Sequence, residues 1–246
     1  MQNKNGQQKQ LLTVLVLSSI LGMGLYAAPV QAKSITEGTG DAYAVQTTDG
    51  TAAEGGILQI SGTAALEHAY GGYAVKGGNA QNNTLSITGG STIYGYGGYT
   101  TSGNVSKNTV MIGTEGTKVV DSGLTFGPGA KSDAVSVYGG YTGSGVASNN
   151  QVTVTGTTIN SAIYSGYTGS GDATNNTVNL TNSAIVNGTY ESRSDVYGGY
   201  SAGTTGTVSG NSIIVDGTTS KGGSYYGGYA AGGHGNNEYS DNAKCQ

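Results

Sequence analysis

A Tyr-Gly-Gly-Tyr motif, with close variants, recurs along this chain and limits its fold more than any other feature. The first tyrosines of six copies are Tyr70, Tyr96, Tyr138, Tyr164, Tyr197 and Tyr226, at intervals of 26, 42, 26, 33 and 29 residues. Self-similarity at a period of about 20–50 residues is the signature of a solenoid, propeller or array, in which each unit covers its neighbour. The best-matched copies run Val137-Tyr138-Gly139-Gly140-Tyr141-Thr142-Gly143-Ser144-Gly145 and Ile163-Tyr164-Ser165-Gly166-Tyr167-Thr168-Gly169-Ser170-Gly171.

Each unit carries two strand candidates. One holds the tyrosine motif. The other is a short alternating run, as in Leu85-Ser86-Ile87, Val110-Met111-Ile112, Val152-Thr153-Val154, Val178-Asn179-Leu180 and Ile213-Ile214-Val215. Period-2 alternation of this kind reads as strand. Thr158-Ile159-Asn160 and Ala184-Ile185-Val186 offer a third strand in the connections. No stretch after residue 32 has a helical apolar period. The expected fold is all-β: a parallel β-helix, or β-solenoid, with two to three short strands per coil. Parallel stacking pairs each backbone group with the next coil, so one or two Val or Ile per strand make a sufficient core.

Composition fits this architecture. The chain has 46 Gly and 18 Tyr but one Phe and no Trp. Charged residues make up 10%, against about 25% in an ordinary domain. Charges repeated coil on coil would repel. Two Pro exclude a collagen, and a lone Cys245 excludes a disulfide scaffold. The formal net charge of −4 gives no basic footprint for nucleic acid.

Strict alternation sets Val137, Gly139 and Tyr141 on one face and Tyr138 and Gly140 on the other. It predicts that the first tyrosine column (Tyr70, Tyr96, Tyr138, Tyr164, Tyr197, Tyr226) points outward, either as a contact stripe or as a purely structural stacking ladder. The second column (Tyr73, Tyr99, Tyr141, Tyr167, Tyr200, Tyr229) would then share the face of Val137. The pairs Asn82-Asn83, Asn149-Asn150 and Asn175-Asn176 precede the second strand and leave two readings open. They are either a ladder of stacked amides or turn residues that tolerate left-handed backbone.

The N-terminus differs from the rest. Lys4 and Lys9 precede an apolar run from Leu11 to Tyr26, and Val30 and Ala32 fit a signal-peptidase site cleaved between Ala32 and Lys33. The expected organisation is a cleavable signal peptide over 1–32 and a lead-in or cap over 33–56. A repeat solenoid then spans 57–235, with a loop insertion near 113–134, and an irregular tail spans 236–246.

Motifs for chemistry are sparse. Gly199-Tyr200-Ser201-Ala202-Gly203 matches the pattern of a nucleophile elbow, but no helix pattern follows it, and Ser201 fills a repeat slot held elsewhere by Ala or Thr. His68 and His234 lie in different copies without ligand spacing around them. No phosphate-binding glycine loop occurs. The expectation is no catalytic residue, no metal and no cofactor.

A cleavable signal followed by Tyr-Gly-Gly-Tyr-x-x-x-Gly and Asn-Asn-Thr-Val repeats resembles the passenger region of bacterial type V autotransporters, over about residues 60–235. The resemblance implies a right-handed parallel β-helix, export through the inner membrane and display at the cell surface, outer membrane or outside the cell. It also implies a role in adhesion or as a surface stalk, and in virulence. It implies a C-terminal barrel as well. Nothing after Tyr229 resembles alternating membrane strands, so outer-membrane association is expected only through a barrel absent from this chain. The expected partner is a glycan or protein on a host or neighbouring cell. Two alternatives remain. One is a self-assembling, amyloid-like structural protein. The other is a β-helical polysaccharide-active enzyme, for which one Arg and no repeated acid pair are meagre provision.

Overall fold

The computed structural model describes residues 31–113, 136–159, 161–186, 194–221 and 223–232. Among them there is no helix, and strands pair in parallel with their counterparts in neighbouring coils. Two sheets of seven strands and one of six run along the stack, and a fourth of three strands joins them towards the C-terminal end. The described residues form a parallel β-helix of seven coils.

The tyrosine sheet consists of Thr39–Thr47, Ala65–Ala74, Ser91–Thr100, Ser136–Thr142, Ala162–Thr168, Val196–Ser201 and Tyr225–Ala230. The aliphatic sheet consists of Gln31–Ile35, Gly56–Ile60, Thr84–Ile87, Thr109–Gly113, Gln151–Thr155, Thr177–Thr181 and Ser212–Asp216. All five alternating runs named from sequence fall in it. Thr158–Ile159 and Ala184–Val186, the third-strand candidates, pair in the fourth sheet with each other and with Thr219–Lys221. Sequence missed the six-stranded sheet. Its members are two-residue strands such as Ala80–Gln81, Val105–Ser106 and Ala147–Ser148, too short to show a period.

The core lies between the two long sheets. From the aliphatic sheet come buried pairs such as Leu58 and Ile60, Leu85 and Ile87, and Val152 and Val154. Facing them from the tyrosine sheet are Ala42, Ala69, Val137, Ile163 and Val196. Burying each Val, Leu or Ile contributes about 1.5–3 kcal/mol. The alternate residues of the aliphatic strands face out, as Met111 and Ile214 do.

Stacking begins before the first full motif. Tyr43 pairs in register with Tyr70, and Gln31–Ile35 pairs with Gly56–Ile60. Residues 33–56, read from sequence as a lead-in, thus form most of a first coil. Its Tyr43-Ala44-Val45-Gln46 lacks both glycines and the second tyrosine, which hid it. Ala32 and Lys33 sit inside the strand Gln31–Ile35, so the predicted cleavage bond falls in that strand. The rest of the expected signal peptide (1–30), the loop insertion beyond Gly113 and the tail over 236–246 lie outside the described residues.

The two readings of the asparagine pairs both hold, for different members. The first residue of each pair is the turn. Asn82, Asn149 and Asn175 have φ of 57°, 55° and 56°, and Lys107 and Gly210 take the same slot at 55° and 64°. The second residue is the ladder. Asn83 Nδ2 donates to Asn108 Oδ1 at 3.0 Å, Asn108 Nδ2 to Asn150 Oδ1 at 3.0 Å, Asn150 Nδ2 to Asn176 Oδ1 at 3.0 Å, and Asn176 Nδ2 to Asn211 Oδ1 at 2.9 Å. Each Oδ1 also accepts from the backbone N–H of the preceding rung. Asn83, Asn108, Asn150 and Asn176 are buried. A buried amide is costly unless its donors and acceptors are met, and here each coil meets the needs of the next.

Candidate functional site

The ladder explains the second glycine of the tyrosine motif. A Cβ at Gly140 would stand 2.7 Å from Cγ, Nδ2 and Oδ1 of Asn150, and those at Gly72, Gly98, Gly166 and Gly199 would meet the amides of Asn83, Asn108, Asn176 and Asn211. The first glycine is packed along the stack. A Cβ at Gly139 would meet the carbonyl oxygen of Ser165 in the next coil at 2.5 Å. Ser165 itself occupies this first-glycine slot, and its Oγ lies 2.7 Å from the carbonyl oxygens of both Asn150 and Thr177, either of which can accept its one proton.

Here strict alternation fails, and the predicted facing of the columns needs correction. Val137 is in the core, the two glycines pack against the ladder and the next coil, and Thr142 is buried. Both tyrosines therefore stand on the outer side. The second column does not join Val137 in the core. It is half-buried throughout. The first column, predicted as the outward stripe, is the more covered at its N-terminal end. Tyr70 and Tyr96 are 6% and 8% exposed, while Tyr138, Tyr164, Tyr197 and Tyr226 are half-buried. Two inward residues between the tyrosines, in place of one, put both rings on one surface.

The rings form two continuous stacks. Along the first column from Tyr43 to Tyr226, successive centroids lie 4.8–5.1 Å apart with interplanar angles of 10° or less. Along the second, from Tyr73 to Tyr229, they lie 4.8–5.2 Å apart. Within each coil the two rings meet edge to face, as Tyr138 and Tyr141 do at 5.3 Å and 84°. Both are favoured geometries for aromatic pairs, each adding about 0.5–1.5 kcal/mol beyond burial.

Burial makes several of these phenols hard to ionise, most of them in the first column. Desolvation, then the Asp41 carboxylate, pushes Tyr43 up to about 12. Burial also raises Tyr70, Tyr96, Tyr138 and Tyr164, with further increments from neighbouring phenols, and raises Tyr197, where the Asp195 carboxylate adds to it. A phenol that ionises at higher pH when folded contributes stability that is complete below its unfolded value, about 10, and is lost as pH rises through its folded value. Unfolding stability should therefore fall above about pH 10. The phenolate absorbance of Tyr43, Tyr70, Tyr96, Tyr138, Tyr164 and Tyr197 should rise only together with loss of the far-ultraviolet β signal. Simple titration centred near pH 10 with the β signal intact would refute buried stacks.

Two residues before the first tyrosines stand Asp41, His68, Tyr94, Ser136, Ala162, Asp195 and Ser224, a column that is polar except at Ala162. Tyr43 Oη donates to Asp41 Oδ2 at 3.0 Å, and Tyr197 Oη to Asp195 Oδ2 at 3.2 Å. Register sets Asp41 opposite His68, whose Nδ1 lies 2.8 Å from Asp41 Oδ1. The His68 ring stacks on Tyr94 at 5.2 Å. Asp41, Glu67 and His68 each bring a ligand atom within 4.8 Å of the others. Sequence reading found no ligand partners around His68 because Asp41 is 27 residues away along the chain, and only coil stacking brings it near. Asp41 and Glu67 are exposed.

Ser201 is not placed as a nucleophile. It ends a strand, is fully buried, and its Oγ donates to the Gly171 carbonyl at 2.9 Å. Thr100, Thr142 and Thr168 do the same to Gly78, Gly103 and Gly145. The slot is structural in every one of these coils. Comparisons of the chain with protein-family models, curated proteins and solved structures gave no match.

Proposed function

We propose that the chain is an exported surface protein whose β-helix serves as an adhesive stalk, in the manner of an autotransporter passenger. The observation that carries this is the pair of aromatic stacks along one side of a charge-poor parallel rod. Such a stripe is a large amphipathic contact area held without flexible side chains. The N-terminal residues support export: a basic start, an apolar run and small residues before Lys33.

The test is expression of the full coding sequence in a Gram-negative host. N-terminal sequencing of the exported product is expected to begin Lys33-Ser34. Bacteria or beads carrying it are expected to adhere to host-cell layers or to one another. Retention of an uncleaved chain in the cytoplasm would sink the proposal.

A second reading, self-assembly through the coil ends, has its own observation. Among the described residues, the outermost strands of both long sheets pair on one side only, and Ile214 in the last aliphatic strand is 56% exposed. Concentration-dependent fibrils that bind amyloid dyes would favour it.

A further inference from the structure

The stripe restricts what can lie on it. Each ring's faces are set against the rings above and below, so a ligand meets a row of ring edges and phenol hydroxyls. The row repeats every 4.8–5.2 Å. Its six rings, from Tyr73 to Tyr229, span about 25 Å.

Three classes of occupant fit poorly. An extended peptide repeats its same-face side chains about every 6.6 Å and falls out of step within two coils. A single nucleic-acid strand binds by stacking bases on free aromatic faces, and here those faces are taken. It would also bring phosphates beside Asp41 and Asp195, which flank the first column. A second copy of the chain would match the period, but a strip about 25 by 10 Å offers about 250 Å², well below the ~800 Å² per partner of a stable interface.

A linear polymer of β-1,4-linked hexopyranoses remains. Its rise per sugar falls close to the 4.8–5.2 Å step of the row, and its twofold screw turns alternate edges towards successive rings. It is one chain wide, carries hydroxyls on both edges of every sugar, and needs no charge. We infer that the second tyrosine column, Tyr73 to Tyr229, is a binding track for a neutral, extended β-1,4-linked glycan lying parallel to the helix axis, one sugar per coil. Six tyrosines make a track of six sugars. This rests on the adhesive reading above and names its ligand class.

The test is calorimetric titration of the full chain with cellotriose, cellohexaose and the α-1,4-linked maltohexaose. Cellohexaose is expected to bind at least tenfold more tightly than cellotriose, and maltohexaose not at all. The double variant Tyr141→Phe with Tyr167→Phe keeps both rings and removes two hydroxyls. It is expected to lose about tenfold in cellohexaose affinity with an unchanged thermal midpoint. Thr153→Ala, on the outer side of the aliphatic sheet, should leave binding as it was. Equal binding of the α-linked hexamer, absence of length dependence, or an unaffected double Phe variant would each overturn the track. So would a sedimentation-detected dimer that dissociates when Tyr141 and Tyr167 are replaced, which would assign the stripe to a second copy. If coated beads still adhere to cells while no oligosaccharide binds, the track fails and the adhesive reading stands. If adhesion is absent too, that reading fails with it.

Discussion

Replacing Asn150 with Ala is expected to lower the unfolding free energy by about 4 kcal/mol. The rung is shared in both directions. Its Oδ1 accepts from the backbone N–H of Asn108 at 3.1 Å and from Asn108 Nδ2 at 3.0 Å. Its Nδ2 donates to the Val105 carbonyl at 3.3 Å and to Asn176 Oδ1 at 3.0 Å. Truncation strands the Asn108 backbone N–H and half-strands its amide, in a place water does not reach. Each orphaned buried polar group costs about 1–3 kcal/mol, and the lost packing of the amide adds to that. Denaturant unfolding of the full chain, followed by circular dichroism, checks the value. The neighbour gives the contrast. Asn149→Gly should change stability by less than about 0.5 kcal/mol, because Gly210 already fills the same left-handed slot at φ 64°. Equal effects at the two positions would mean that the ladder contributes nothing beyond a turn.

Gly140→Ala is expected to cost about 3 kcal/mol, from overpacking. Its Cβ would press on three atoms of the Asn150 amide, and four hydrogen bonds hold that amide where it is. The first coil offers the same space with the sizes exchanged. There Val45 stands in the register position of Gly72, and Gly56 in that of Asn83. A Cβ on Gly56 would meet Val45 Cγ2 at 2.9 Å. One large residue fits across the corner, from either side. Gly140→Val combined with Asn150→Gly, which copies the Val45 and Gly56 arrangement, is therefore expected to be more stable than Gly140→Val alone. Additive losses in the double variant would contradict shared space.

The repeat made six of the seven coils and both long sheets legible, because stacking places like residue over like and the motif survives as spelling. What was not legible came from breaks in period. Tyr138 and Tyr141 were assigned opposite faces by counting in twos, yet Gly139 and Gly140 are both turned from the outer surface. Only the amide across Gly140, set ten residues later in the chain, explains why. The pairing of Asp41 with His68 was hidden by distance. The first coil was hidden because Val45 and Gly56 exchange the roles that mark the next five coils. The alternation Ile57-Leu58-Gln59-Ile60, after Gly55-Gly56, was the available signal.

The ladder has a consequence for the order of events during folding. Its cross-coil bonds join residues 25 to 42 apart, about one coil's worth of chain, and none ties the first coil to the last. A segment holding the first three coils already contains every partner those coils will have, apart from the face that receives the fourth. Structure can then advance like a ratchet behind a chain that arrives one end first. Each new turn is templated by the last and closes the amide left open beneath it, with no wait for the final residue.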